Sequence, residues 1–209
     1  MSGPPATRAF VQARMGSSRF PGKVLAPLAG RPVVDRVIEA VAEAVGADNV
    51  VVVTTTDPAD DPLAAHLAAR GVACFRGPRD DVLERFRLAA EAHPCEWILR
   101  ISADSPLLDP EELRAVIAAA DGSDADLVTT KTAAGSPHGR NAELVRAEAL
   151  RRLPGDELTP DDREHVTPFF YRARERFSIR EVDVGPGRFG GQPLTVDTIE
   201  DLRRLEALL

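Results

Sequence analysis

The sequence predicts an α/β domain: a mostly parallel central sheet covered by helices. Three observations carry this expectation. Strand-like apolar runs alternate with amphipathic helical ones, the clearest strand is a continuous valine run of the kind buried on both faces, and no repeat, heptad run or second-domain linker interrupts the pattern. With 209 residues, 44% hydrophobic and 28% charged, the chain can bury a core without staples, and it has no apolar run near bilayer length. Collagenous, wholly disordered and membrane-spanning classes are excluded, and one domain over 8–209 behind a disordered tail over 1–7 is expected.

Ala9 to Ala13 reads as the first strand and 14–22 as a loop. Pro32 opens a helix whose apolar positions Val33, Val34, Val37, Ile38, Val41 and Val45 recur at helical spacing until Gly46 stops it. Asn49 to Thr54 is the valine strand, followed by a helix from Ala59 to Arg70, a strand from Val72 to Phe75 and a helix from Asp80 to His93. Glu96 to Ser102 is a strand, and Asp109, Pro110 and Glu112 open a helix that runs to Ala120. Ala125 to Thr130 is a strand. Lys131 to Asn141 shows no periodicity and reads as a functional loop. Helical stretches over 146–153 and 161–176, a strand over 178–184, a Gly-rich turn over 185–191, a short strand over 194–197 and a helix over 199–209 complete the chain.

The formal net charge of −7 makes the surface as a whole repel nucleic acid and anionic lipid. One Trp and one Tyr also leave few platforms for base stacking, so no nucleic-acid or membrane partner is expected. Locally the balance inverts: from Arg8 to Arg36 six basic side chains face one acid, Asp35. Only two of the 26 basic residues are lysines, Lys23 and Lys131, which hints that a compact point charge is wanted there. The two cysteines have no CxxC spacing and no secretory signal precedes residue 10, so a reduced, cytoplasmic protein is expected.

The basic stretch contains Gln12-Ala-Arg-Met-Gly-Ser-Ser-Arg-Phe-Pro-Gly-Lys23, directly after the first strand. Gly16, Ser17, Ser18 and Gly22 let backbone N–H groups approach an anion, and Arg14, Arg19 and Lys23 add charged donors, as a triphosphate requires. The P-loop pattern is absent, since Lys23 is followed by Val and no helix opens there. Asp104 ends a strand where open α/β sheets bind ligands, and the following helix already has Asp109 as a cap. Asp197 likewise ends a strand, with Thr198 and Asp201 available to cap the last helix. Two spare carboxylates at strand ends form the hard-oxygen set that Mg²⁺ uses when substrate phosphates complete its octahedron. Lys131, His138 and Arg140 in the aperiodic loop suit an anionic acceptor such as a carboxylate, phosphate or phosphonate.

The stretches VQARMGSSRFPGKVLAPLAGRPVVDRVIEAV (11–41), RGPRDDVLERF (76–86), RISADSPLLDP (100–110), DREHVTPFFY (162–171) and LTVDTIEDLRRLEALL (194–209) resemble the cytidylyltransferase family of spore-coat polysaccharide biosynthesis. More distantly they are similar to the CMP-sugar synthetases that activate ulosonic and nonulosonic acids. The resemblance implies a Rossmann-like three-layer α/β/α nucleotide-diphospho-sugar transferase (GT-A-like) fold. It also implies that CMP passes from CTP to an acceptor oxygen, with release of pyrophosphate. By the same resemblance Arg14 and Lys23 grip phosphates, the Gly16–Ser18 backbone wraps them with Ala13 and Arg19 alongside, and Asp104 and Asp197 hold Mg²⁺. Arg76, Gly77 and Asp81 fall where the family places its nucleobase pocket, although Asp81 could instead cap a helix. Arg100 and Ser102 fall near the nucleotide, and Asn141, Glu143 and His165 join the acceptor set. Relatives suggest a homodimer, for which Phe169, Phe170 and Tyr171 could serve either an interface or the core.

The chain departs from the family pattern at Ala103 for Gly, at Gly139-Arg-Asn-Ala-Glu143 for Gly-Leu-Asp-Val-Glu, and at Ile199 for Pro. The second departure leaves the acceptor open. Two other classes stay in play: a glycosyltransferase using a nucleotide-sugar donor, and a non-catalytic nucleotide-binding subunit. The paired Arg14 and Lys23 favour a triphosphate over the first, and two spare carboxylates argue against the second.

Overall fold

In the computed structural model, residues 6–131 and 139–209 are described. A seven-stranded sheet is built from β1 (Thr7–Gln12), β4 (Val50–Thr55), β5 (Ala73–Gly77), β6 (Trp97–Ser102), β7 (Leu127–Thr129), β8 (Glu143–Arg146) and β9 (Ile179–Glu181); β2 (Pro27–Leu28) and β3 (Arg31–Pro32) form a separate small hairpin. The helices are α1 (Val33–Val45), α2 (Asp61–Ala69), α3 (Val82–Ala92), α4 (Pro110–Ala118), α5 (Ala147–Arg151), α6 (Pro160–His165), α7 (Pro168–Arg172) and α8 (Ile199–Glu206). The strand order is β5-β4-β1-β6-β8-β7-β9. The first four strands are mutually parallel, and β8 lies antiparallel between β6 and β7.

Strand alternation sorts the core into two layers. Ala9, Val11, Val50, Val52, Leu99 and Ile101 face α1, α2 and α4 through Val37, Val41, Leu67 and Val116. Phe10, Val51, Val53 and Ile98 face α3, α5 and α7 through Phe86, Leu150 and Phe169. The expected three-layer α/β/α architecture with a mostly parallel sheet is therefore present. A third apolar cluster joins Leu28 and Val33 to Leu194, Val196, Leu202 and Leu205, seating α8 and the strip before it against the β2–β3 hairpin.

Four expectations need correction. Residues 6 and 7, expected in the tail, belong to the fold: the Ala6 carbonyl accepts the Trp97 N–H at 2.8 Å and Thr7 opens β1, while residues 1–5 lie outside the described set. The helix expected over 161–176 breaks into α6 and α7 at Val166, whose φ is +71°, just before Thr167 and Pro168. Val166 leaves the helical region, and Pro168, which has no N–H to donate, sits in the first turn of a new helix, so periodicity across this point misleads. The strand expected over 194–197 makes no ladder; Val196 N–H instead donates to the Asp104 carbonyl at 2.8 Å. Finally, β8 is a strand that the sequence reading does not include: 142–145 carries no assignment there, and Arg146 falls in the expected helix over 146–153. A run of only four residues carries too little alternation to mark a strand.

Candidate active site

The carboxyl ends of β1, β4 and β6 converge on the 12–23 loop. Met15 is the hub of that loop: its carbonyl accepts from Ser17 N–H at 3.0 Å and Gly22 N–H at 2.8 Å, and its own N–H donates to Asp60 at 2.7 Å. Gly22 adopts φ +76° at the start of a short 3-10 turn over Lys23–Leu25, a backbone region that favours glycine. Ala13 is buried and donates to the Val53 carbonyl at 3.2 Å. Among the described residues, the N–H groups of Arg14, Gly16, Ser18 and Arg19 donate to no protein acceptor, which leaves them available to an anion.

Lys23 ties the loop to both carboxylates, Asp104 and Asp197. Its Nζ stands 2.9 Å from Asp104 Oδ2 and 2.9 Å from Asp197 Oδ1, with Arg19 adding a contact of 3.2 Å to Asp197. The sequence separates these acids by 93 positions; the Val196-to-Asp104 bond and the third apolar cluster bring them together. Thr198 and Asp201 form the anticipated capping box of α8, and Asp201 also accepts the Asp197 N–H at 3.1 Å, so the cap fixes the backbone that carries Asp197. Burial pushes the Asp201 carboxyl up, but the donors from Arg204, Asp197 and Thr198 outweigh it and hold its pKa below the usual carboxylate value. The two acids offer only oxygen donors and already hold one cationic group between them, a donor set that suits Mg²⁺ with phosphates completing the shell. Among the described residues no cluster of three or more His, Cys, Asp or Glu side chains could hold a metal without such help.

A small cleft of about 250 Å³ beside the loop is lined by Arg14, Gly16, Thr55, Asp57, Asp60 and Arg79. The segment expected to form a nucleobase pocket is occupied largely with its own structure. Arg76 donates to the carbonyls of Thr55 (2.8 Å) and Asp57 (3.0 Å) and pairs with Asp61. A Cβ at Gly77 would stand 2.9 Å from the Arg85 side chain, so close packing requires glycine there. Asp81 caps α3 through Glu84 N–H at 2.8 Å and pairs with Arg163, which favours the capping reading.

On the other side of β6 lies a cleft of about 700 Å³. Arg100, Lys131, Asn141, Glu143 and His165 line it together with Tyr171. Arg100, expected near the nucleotide, pairs instead with buried Glu143 at 2.7 Å and reaches Gln12 at 3.4 Å. Glu143 also accepts from Thr167 Oγ1 at 3.0 Å and Tyr171 Oη at 2.7 Å, an arrangement that the break between α6 and α7 makes reachable. Burial, with the Glu143 charge adding to it, raises the Tyr171 phenol far above its ordinary value, so it remains a donor. Lys131 stands 4.6 Å over the Tyr171 ring and makes no ion pair among the described residues. Ser102 lies partly buried at the end of β6, two residues before Asp104.

Two members of the expected acceptor set are placed otherwise. Arg140 is buried away from this cleft, paired with Glu112 on α4 and donating to the carbonyls of Pro186 (2.9 Å) and Gly185 (3.2 Å). His138 lies outside the described residues. Phe169 and Phe170 are fully buried and stack on Phe177, so they serve the core and are not available to a dimer interface. Sequence reasoning missed Asp60, Thr167 and Tyr171. Asp60 lies five residues past the end of β4 among acids that read as helix caps, so the sequence does not single it out.

An open α/β sheet with a basic loop beyond the carboxyl ends of its parallel strands, and with Asp197 held beside Asp104 there, has its candidate site where such sheets bind ligands, and its basic and acidic groups are those that a nucleotidyltransferase needs for phosphates and a metal. The comparisons narrow the class. The cytidylyltransferase family model matches residues 9–208. SpsF, a spore coat polysaccharide biosynthesis protein of Bacillus subtilis, is 34% identical over 95% of this chain and 84% of its own. A 3-deoxy-manno-octulosonate cytidylyltransferase of Anaeromyxobacter dehalogenans is 33% identical over 94% and 84%. A cytidylyltransferase structure from Leptospira borgpetersenii superposes with TM-score 0.89 at 28% identity, covering 97% of this chain and 86% of that one. The chain belongs to the cytidylyltransferase family, which decides against the glycosyltransferase and non-catalytic alternatives.

Proposed function

We propose that the protein transfers CMP from CTP to a hydroxyl of a small anionic acceptor of sugar-acid type, releasing pyrophosphate, with Mg²⁺ held by Asp104 and Asp197. The observation that carries this reading is the Lys23 ammonium, shared at 2.9 Å between two carboxylates at the mouth of a loop with free N–H groups. Arg14 and Lys23 would donate to the phosphate oxygens, and the N–H groups of Gly16 and Ser18 would wrap them. Charge that grows on the departing pyrophosphate would thus meet donors already in place. Bound at Asp104 and Asp197, the metal supplies polarisation of the phosphate oxygens and neutralisation of their charge.

The larger cleft, close to 700 Å³, has the size of a small-molecule site. Among the described residues Lys131 lines this cleft without a carboxylate partner, so an acid group on the acceptor would find its counter-charge there. The Anaeromyxobacter relative, by its name, acts on a sugar acid, which supports the same class. Glu143, saturated by Arg100, Thr167 and Tyr171, holds this wall in place and is not free to accept the acceptor proton. The free thiols Cys74 and Cys95, the latter pushed up to about 11 by burial, suit a reducing cytoplasm. No helix among the described residues is long and apolar enough to cross a membrane. The test is pyrophosphate release from CTP and Mg²⁺ with a panel of sugar acids, neutral sugars and phosphonates. Turnover is expected with an acid, and turnover with neutral sugars alone would overturn the acceptor assignment.

A further inference from the structure

We infer that Asp60 is a positioning residue for nucleotide binding: its buried carboxylate latches the 12–23 loop to the end of β4 in the shape that receives phosphates. The inference rests on the reading of that loop as the phosphate cradle. Asp60 is 2% exposed and divides its two oxygens between two segments. Oδ2 accepts from Thr54 Oγ1 at 3.0 Å, from Thr55 N–H at 3.2 Å and from Thr55 Oγ1, which fixes the carboxylate to the strand end. Oδ1 accepts the Met15 N–H at 2.7 Å. Because the Met15 carbonyl in turn gathers the N–H groups of Ser17 and Gly22, one side chain holds the hub on which both arms of the loop turn.

The group is charged and has no basic partner within ion-pair distance among the described residues, so its hydrogen bonds stabilise the anion. Burial pushes its pKa up, and the donors from Thr55, Met15 and Thr54 outweigh that and hold it below the usual carboxylate value. An anion beside a triphosphate site is electrostatically unfavourable to the ligand. Its presence in the wall of the cleft with Arg14 and Gly16 therefore calls for a geometric function. Asparagine cannot replace it: either oxygen placement sets an NH₂ group against a backbone N–H, of Met15 or of Thr55.

The two effects of Asp60→Asn on CTP binding have opposite signs. Removing a negative charge alone tightens binding; releasing Met15 weakens it. We expect the Kd and KM for CTP with Mg²⁺ to rise about tenfold, the worth of one charge-assisted hydrogen bond, with kcat within about threefold and the acceptor KM unchanged. Trypsin should cut faster after Arg14 and Arg19. Folded Asp60→Asn protein that binds CTP as tightly as wild type, or more tightly, overturns the inference. Should Asp60→Asn not fold, Thr54→Val removes one donor to the carboxylate, and a CTP Kd raised about threefold, with Thr54→Ser restoring it, supports the latch. A Kd equal to wild type in Thr54→Val overturns it. Wild-type protein that binds no CTP would overturn the nucleotide reading instead, and the trypsin comparison would still decide whether Asp60 holds the loop.

Discussion

The two ends of the site, the 12–23 loop proposed to hold phosphates and the larger cleft proposed to hold the acceptor, handle charge differently. At the phosphate end, cations and anions neutralise one another in an open arrangement: Lys23 and Arg19 lean on Asp104 and Asp197, all partly exposed. Each member of that set can exchange its partner for a phosphate or a divalent cation when substrate arrives. At the acceptor end the charges are locked into a buried network of Arg100, Glu143, Thr167 and Tyr171, and Lys131 stands outside it. The Glu143 carboxylate is saturated and holds this wall in shape, although Arg100 Nε is buried without a partner among the described residues, and selection falls to the groups left unpaired.

The largest effect that could break this contrast is at the carboxylates. Asp104→Ala and Asp197→Ala should each lower kcat roughly a thousandfold in a pyrophosphate-release assay while leaving the fold intact by circular dichroism. Lys23→Met should separate exchange from binding. Without its resident cation the acid pair should take up Mn²⁺ alone about tenfold more tightly, read by paramagnetic resonance, while CTP binding weakens about tenfold. Lys131→Met should raise the acceptor KM about tenfold and leave the CTP KM unchanged, which steady-state kinetics would resolve. If the CTP KM moves instead, the two ends are not separate. The smallest effect belongs to the network: Tyr171→Phe loses donation to Glu143 and the bond with Thr129, and should cost about 1 kcal/mol of stability in urea titration.

Acid should act on the structure through a different set of groups. Asp60, Asp162 and Asp201 all have pKa values held below the usual carboxylate value in the folded protein, by donors that outweigh burial. Their stabilisation is complete above the unfolded carboxylate pKa, about 4, and is lost as pH falls through the lower folded values. The melting temperature should accordingly drop from about pH 4 downward, and Asp60→Asn should flatten that part of the profile.

Much of the phosphate end was legible in the sequence because its residues are out of place locally. Asp104 follows a strand and Asp197 a strand-like run that makes no ladder, other residues cap the next helices, and Lys23 is one of two lysines in an arginine-rich chain. Asp60 escaped because it sits in Asp57-Pro-Ala-Asp-Asp-Pro62, where acids are expected as helix caps, and only its buried bond to Met15 distinguishes it. Acceptor residues were harder to read. Arg140 in a Gly-containing stretch reads as a solvated ligand, yet its partner Glu112 lies 28 residues upstream on another helix. Thr167 and Tyr171 were hidden by treating 161–176 as one helix, since the break at Val166 turns them toward Glu143. Pairings across the fold decide such cases, and periodicity does not carry them.

The central claim is that Asp104 and Asp197 hold the metal that accompanies CTP on the 12–23 loop. Calorimetric titration of CTP into wild type, Asp104→Asn and Asp197→Asn, each with and without Mg²⁺, tests it most directly. Mg²⁺ should tighten CTP binding at least about tenfold in wild type, beyond the tightening seen with UTP or ATP, and should have no such effect in either variant. The same Mg²⁺ dependence in all three proteins would contradict the claim.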